Sequence, residues 1–207
     1  MFSHTAAAAL AVGLGLTTAL LAQSSPEILD VAFTLNGVEK SIRQTETLDT
    51  AQVSAFHKPG PNCGPLCIAP LAASSAVPTV GEREVIRFIA DKVALGEGLL
   101  IDSRQPEDRA AGFISASVNV PYSLLQPDNP YVADIMQALG ARAFEGTLNF
   151  SDAMPLVVFD DGPTTNDAST FIAALIAAGY PAEKLSYYRG GMLVWTALGL
   201  NTQDSKS

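Results

Sequence analysis

The chain has 207 residues, 48% of them hydrophobic and 16% charged, which allows one ordinary domain with extensions and excludes a disordered chain. Twelve Lys and Arg against 21 Asp and Glu leave a net charge of -9, the wrong sign for wrapping a phosphate backbone or anionic lipid, so no nucleic acid partner is expected.

The stretch from Ala6 to Ala22 reads AAAALAVGLGLTTALLA, uncharged and closed by a small residue before Gln23, with turn-forming Ser24-Ser25-Pro26 beyond. That is the pattern of a secretory signal peptide over residues 1–22, although Met1 to Thr5 supply only the α-amino group and His4 in place of the usual Lys or Arg. The expected location is therefore secreted, periplasmic or extracellular. A spanning helix is the alternative, because about 17–25 apolar residues can cross a bilayer. Gly13, Gly15, Thr17 and Thr18 argue against it, and no other run approaches that length, so no membrane insertion is expected once the leader is removed.

Residues 23–79 form an N-terminal segment in two parts. Between 28 and 47 the pair Asn36-Gly37 separates two short alternating runs, the signature of a β-hairpin with a type I′ turn. From His57 to Gly81 the chain is rich in proline and glycine, too broken for a regular element, and reads as a linker. Beyond Glu82, Val85, Ile86, Ile89 and Val93 fall on one helical face, and Gly96 and Gly98 end the helix. Strands over 98–102, 117–121, 155–160 and 184–188 then alternate with helices over 106–113, 131–139, 166–178 and 191–198. Strands spaced by helices predict an α/β fold, a single domain over 80–200 whose parallel sheet is flanked by helices on both faces, with a tail over 201–207.

The segment LLIDSRQPEDRAAGFISASVNVP and the later YYRGGMLVW resemble the two conserved blocks of a rhodanese-like (sulfurtransferase-fold) domain, in the same order. Asp102, Arg104, Gly112, Ile114, Ala116, Asn119 and Pro121 match position by position; Phe113 stands where the family usually has His, and Ser115 and Ser117 depart slightly. Read without the family, Asp102 ends an apolar strand on the ligand side of an open α/β sheet, with Arg104 two residues on. An ion pair tying adjacent loops is the favoured role for these two, a pocket lining the sharper one. Tyr187, Tyr188 and Arg189 at the end of the last strand are further pocket candidates, with ordinary strand-end packing as the alternative. Trp195 is expected in the core on the inward face of the last helix, with Leu198.

The resemblance implies a nucleophilic cysteine at the end of the strand over 155–160, followed by a rounded loop into a helix N-terminus. Amides pointing into such a loop stabilise a thiolate and its persulfide. Here the position is Asp160, followed by Asp161, Gly162, Pro163, Thr164, Thr165 and Asn166, a degenerate loop that leaves no catalytic residue to assign. A secreted subgroup tends toward F-C-x-G-P-x-C, which puts Thr165 where a second cysteine would stand. A carboxylate carries no transferable sulfur. Asp160 is expected to point into the ring of amides, with a depressed pKa, and Asn166 or Asp167 to cap the following helix. The run VVFDDGPTT superficially resembles the haloacid-dehalogenase motif, but that motif needs an Asp at position 162, which is Gly. A divalent cation on Asp160, Asp161 and Asp167 is conceivable with oxygen ligands, although the dense spacing of a calcium loop is missing; no metal and no cofactor is expected.

Cys63 and Cys67 are the two cysteines, spaced C-x3-C. In an exported chain the favoured reading is a disulfide stapling the linker, contributing roughly 2 kcal/mol for so short a loop. A strained, redox-active pair is the second reading, and a Cu(I) site with His57 the third. The functional expectation is an exported binding or regulatory module lacking the sulfurtransferase nucleophile, whose partner is an unspecified protein or small sulfur compound. The alternative is a thiol, sulfur-transfer or redox enzyme working through Cys63 and Cys67, brought over the vacant loop by the linker.

Overall fold

The computed structural model describes residues 29–57 and 68–204. The leader and both cysteines lie outside the described residues. Among these residues no helix is long and apolar enough to cross a membrane.

The chain opens with the expected hairpin, β1 (Asp30–Leu35) and β2 (Val38–Arg43), antiparallel from Asp30 opposite Arg43 to Leu35 opposite Val38. Asn36 and Gly37 both take positive φ, 51° and 78°, as a type I′ turn requires. A short helix α1 (Thr50–Ala55) follows that the sequence reading did not anticipate. Asp49 starts it, its carboxylate accepting from the Ala51 and Gln52 amides at 3.0 and 3.1 Å.

Helix α2 (Glu82–Phe88) continues into a π-turn over Ile89–Val93, and the four apolar residues predicted on its inner face are all buried. Next come β3 (Leu99–Asp102), the single turn α3 (Pro106–Arg109), β4 (Ser117–Asn119) and α4 (Val132–Ala138). A second hairpin absent from the sequence reading, β5 (Arg142–Phe144) and β6 (Thr147–Asn149), turns at Glu145-Gly146, again with two positive φ angles. The chain closes with β7 (Leu156–Phe159), α5 (Asp167–Ala177), β8 (Leu185–Tyr188) and α6 (Gly191–Ala197).

The central sheet is parallel, in the order β4-β3-β7-β8. The outer edge of β8 is covered by linker residues: Val80 N donates to Tyr187 O and Tyr187 N to Pro78 O, both at 2.9 Å. Alternation along β7 sends Val157 and Phe159 to one face and Leu156 and Val158 to the other. On the first face they meet Val85, Ile89, Met192 and Trp195; on the second, Met136, Leu139, Phe171, Ile172 and Leu175. Helices thus cover both faces, as an α/β sheet with four buried β7 side chains demands.

The N-terminal segment is part of this core. Phe33, Ile42 and Phe56 pack into the same cluster as Trp195 and Leu200. Residues beyond α6 are also tied in: Phe113 and Gln203 exchange two backbone bonds of 2.8 and 2.9 Å, and the Trp195 indole donates to Asn201 O at 3.0 Å. Trp195 is fully buried, but Leu198 is 42% exposed, which corrects its expected inward position. It is the C-cap of α6, where the chain turns away through Gly199 at φ 72°.

Candidate functional site

Register places the site. Asp102 pairs with Phe159 across β3 and β7, so the chain leaves both strands at the same carboxyl-terminal end of the sheet, and Ser103 N and Oγ fasten that end to Phe159 O at 3.0 and 2.8 Å. The loop from Asp160 to Asn166 then enters α5. Its backbone is held from below by α6: Met192 N donates to Asp160 O at 3.0 Å and Leu193 N to Asp161 O at 2.8 Å. Glycine is needed for that approach. Gly191 has φ 56°, and a Cβ there would lie 2.6 Å from Gly162 N.

The Asp160 side chain turns into the loop. Oδ1 accepts from Gly162 N at 2.9 Å and Oδ2 from Ala168 N at 3.0 Å, so this carboxylate, rather than Asn166 or Asp167, caps α5. The amide contacts fit the expected inward orientation; the expected pKa does not. Full burial pushes Asp160 up to about 6, overriding the Ala168 amide, the Thr165 hydroxyl and the Gly162 amide, each of which favours the ionised form. The sequence shows the donors but not the depth at which they lie.

Asp161 faces the other way. Its Oδ1 accepts from Arg104 Nη1 at 2.9 Å, and Arg104 also forks onto Asp102, with Nε at 2.8 Å and Nη2 at 2.7 Å. Nη2 further donates to Gly112 O at 2.9 Å, and the guanidinium lies over the Phe56 ring. Burial alone would lower the Arg104 pKa; the hydrogen bonds and charges of Asp102 and Asp161 outweigh it, and the group stays a cation. Asp161 is raised by burial, with Arg104 pulling against the shift. Arg109, not singled out from sequence, donates to Asp102 Oδ2 and Ser117 Oγ, both at 2.9 Å, and stacks on Phe113.

Asp102, Arg104 and Asp161 are therefore brought together as a closed ionic knot. Thr165 closes the loop on itself, its hydroxyl donating to Gly162 O at 3.0 Å. Tyr187 and Tyr188 are fully buried. Arg189 is not part of this knot and turns to the linker: it donates to Ala69 O at 2.8 Å through Nη2, and to Pro70 O through Nε. Ala69 N in turn donates to Pro163 O at 2.7 Å, so the linker is moored to the loop. No arrangement of three or more His, Cys, Asp or Glu side chains suited to a metal ion occurs among the described residues.

The loop thus offers a buried oxygen acid within reach of two amides. It has no thiol of its own and can hold a proton but no sulfane sulfur.

Comparison with known proteins gives a match of the rhodanese-like domain family to residues 84–198. No curated protein matches the chain significantly. Among solved structures, a Bacillus halodurans protein aligns at 14% identity over 62% of this chain and 77% of its own, with a TM-score of 0.47. A Rhodopseudomonas palustris protein described as a possible tyrosine phosphatase aligns at 19% identity over 63% and 88%, TM-score 0.45. The human single-domain sulfurtransferase aligns at 24% identity over 56% and 91%, TM-score 0.37.

Proposed function

The chain belongs to the rhodanese-like domain family, and on that premise we propose that it is an exported member without the sulfurtransferase nucleophile, acting as a binding or regulatory module. One observation carries this reading: Asp160, at the position the resemblance gives to the nucleophile, has its carboxylate bonded to Gly162 N and Ala168 N and is wholly buried. Its own oxygens take the donors that a persulfide or substrate anion would need. Asp161 puts a second acid beside it, which disfavours an anion such as thiosulfate. Export rests on the Ala6–Ala22 leader.

Replacing Asp160 by Cys is the test. The variant should acquire a persulfide from a sulfane donor, seen as added sulfur in the intact mass, while wild type with Cys63 and Cys67 alkylated stays unmodified. Turnover of thiosulfate to thiocyanate by alkylated wild type would overturn the proposal, as would a folded Asp160→Cys variant that takes up no sulfur.

A second reading, thiol or redox chemistry through Cys63 and Cys67, is favoured by the mooring of Ala69 to Pro163 O and of Arg189 to Ala69 and Pro70. Ala69 follows Cys67 by two positions in the sequence, and it is Ala69 that is bonded to the loop. Sulfur transfer to cyanide that is lost in Cys63→Ala would establish this reading, and an inert wild type would remove it. A thiol count with and without reductant separates a closed disulfide from accessible thiols.

A further inference from the structure

Three parts of this chain that lie outside the family match or depart from its pattern meet at one place. The β1-β2 hairpin precedes the match to residues 84–198, Gln203 follows it, and Phe113 stands where the resemblance gives His. Together with the residues that open β3 and β4 they line a cleft of about 510 Å3, within the range of about 300–1,000 Å3 usual for small-molecule sites. Leu99 and Ser117 are the first residues of those strands, so the cleft lies at the amino-terminal end of the sheet, opposite the Asp160 loop.

Leu35 at the end of β1, Leu99 and Phe113 are half-buried and Val118 is exposed, so the cleft presents apolar surface that the fold does not cover. Against this stands a single charge. Among the lining residues Lys40 of β2 is the one cation and there is no acid, in a chain whose net charge is -9. Its half-buried ammonium donates to Gln203 Oε1 at 3.2 Å and makes no ion pair among the described residues. An ammonium carries three donors, so two remain. Gln203 is itself fixed, its backbone exchanging bonds of 2.8 and 2.9 Å with Phe113, so a neutral oxygen rather than an acid tethers the lysine tip at the cleft. The nearest acids in sequence do not compensate it. Glu39 precedes Lys40 on β2 and so falls on the other face of the hairpin, and Glu97, between the lining glycines Gly96 and Gly98, is paired with Lys92 at 2.8 Å.

Apolar walls with one uncompensated cation call for a ligand of complementary make-up. We propose that this cleft binds an amphipathic organic monoanion, a medium-chain carboxylate by class, with its carboxylate on the Lys40 ammonium and its hydrocarbon against Leu35, Val93, Phe113 and Val118. The Asn36 side-chain amide, which makes no hydrogen bond among the described residues, lies on the same lining and supplies a donor for the second carboxylate oxygen. A dianion such as phosphate would leave one charge uncompensated against apolar walls. The site does not depend on whether the Asp160 loop binds or transfers sulfur.

The probe is octanoate, titrated into the full chain and followed by NMR through the methyl resonances of Leu35, Val93 and Val118, with octylammonium and acetate as controls for the charge and for the apolar body. Octanoate should shift these methyls saturably, with a dissociation constant of about 1 mM or tighter, while the two controls leave them in place. Lys40→Met keeps the stem, removes the charge and should weaken octanoate about tenfold. Val118→Glu places an acid at an exposed position of the lining and should abolish binding. Absence of a saturable shift at about 10 mM octanoate would overturn the proposal, as would equal binding of octylammonium or undiminished binding by folded Lys40→Met. The three probes on wild type decide the matter even where a variant does not fold.

Discussion

Replacing Arg104 by Met removes the cation on which β3, the loop and α1 converge. The side chain keeps similar length, but it loses the fork on Asp102 at 2.8 and 2.7 Å, the 2.9 Å bond to Asp161 and the 2.9 Å bond to Gly112 O. Breaking a buried ion pair by removing one partner costs about 3–5 kcal/mol, chiefly through the charge left behind. Arg109 still faces Asp102 at 2.9 Å, so that acid keeps one cation, and the cost should fall near the lower end, about 3 kcal/mol. Against a total stability of about 5–15 kcal/mol this is a large fraction, equivalent to a drop of roughly 6–12 °C in the unfolding midpoint. Urea unfolding at neutral pH measures it, with an unchanged m-value as the sign that the fold is the same. Adding Asp161→Asn should recover about 1–2 kcal/mol, because the stranded carboxylate is then gone. A loss below about 1 kcal/mol for Arg104→Met, or no recovery in the double variant, would refute the view that this knot secures the loop.

Two backbone positions give opposite signs. Gly191→Ala should destabilise by about 2–4 kcal/mol in urea unfolding, since it combines a left-handed φ with a Cβ 2.6 Å from Gly162 N and 2.7 Å from the Asp161 carbonyl carbon. Ala116→Gly should stabilise by about 0.5–1 kcal/mol, because Ala116 sits at φ 69°, where glycine is at ease, less the greater freedom glycine has when unfolded. A rise in urea midpoint with the same m-value checks it.

Much of this arrangement is legible along the chain. The run of Leu156–Phe159 is apolar at every position because both faces of β7 are covered, and Asn36-Gly37 specifies its turn through φ angles that few other pairs tolerate. The elements that escape sequence reading are those with brief signals: a six-residue helix announced by one capping Asp49, and a hairpin of three-residue strands turning at Glu145-Gly146. The acids of the loop show the same limit in electrostatics. Asp160, Asp161 and Asp167 are plain in sequence, yet the sign of the Asp160 shift depends on burial against amide donors, a balance fixed by packing with α6. Likewise, Arg189 ends a strand as predicted, but its direction is set by linker carbonyls more than a hundred residues earlier.

Phe56 lies over Arg104, and Phe33 and Ile42 share a cluster with Trp195, although all three precede the family match, which begins at residue 84. The inherited unit and the thermodynamic unit therefore have different borders. Were evolution, or an engineer, to graft only the recognisable span into another protein, the graft would arrive with an open seam along α6 and its arginine uncovered. A viable transplant must bring the leading hairpin as its own lid, together with the stretch through Gln203 that stitches down Phe113.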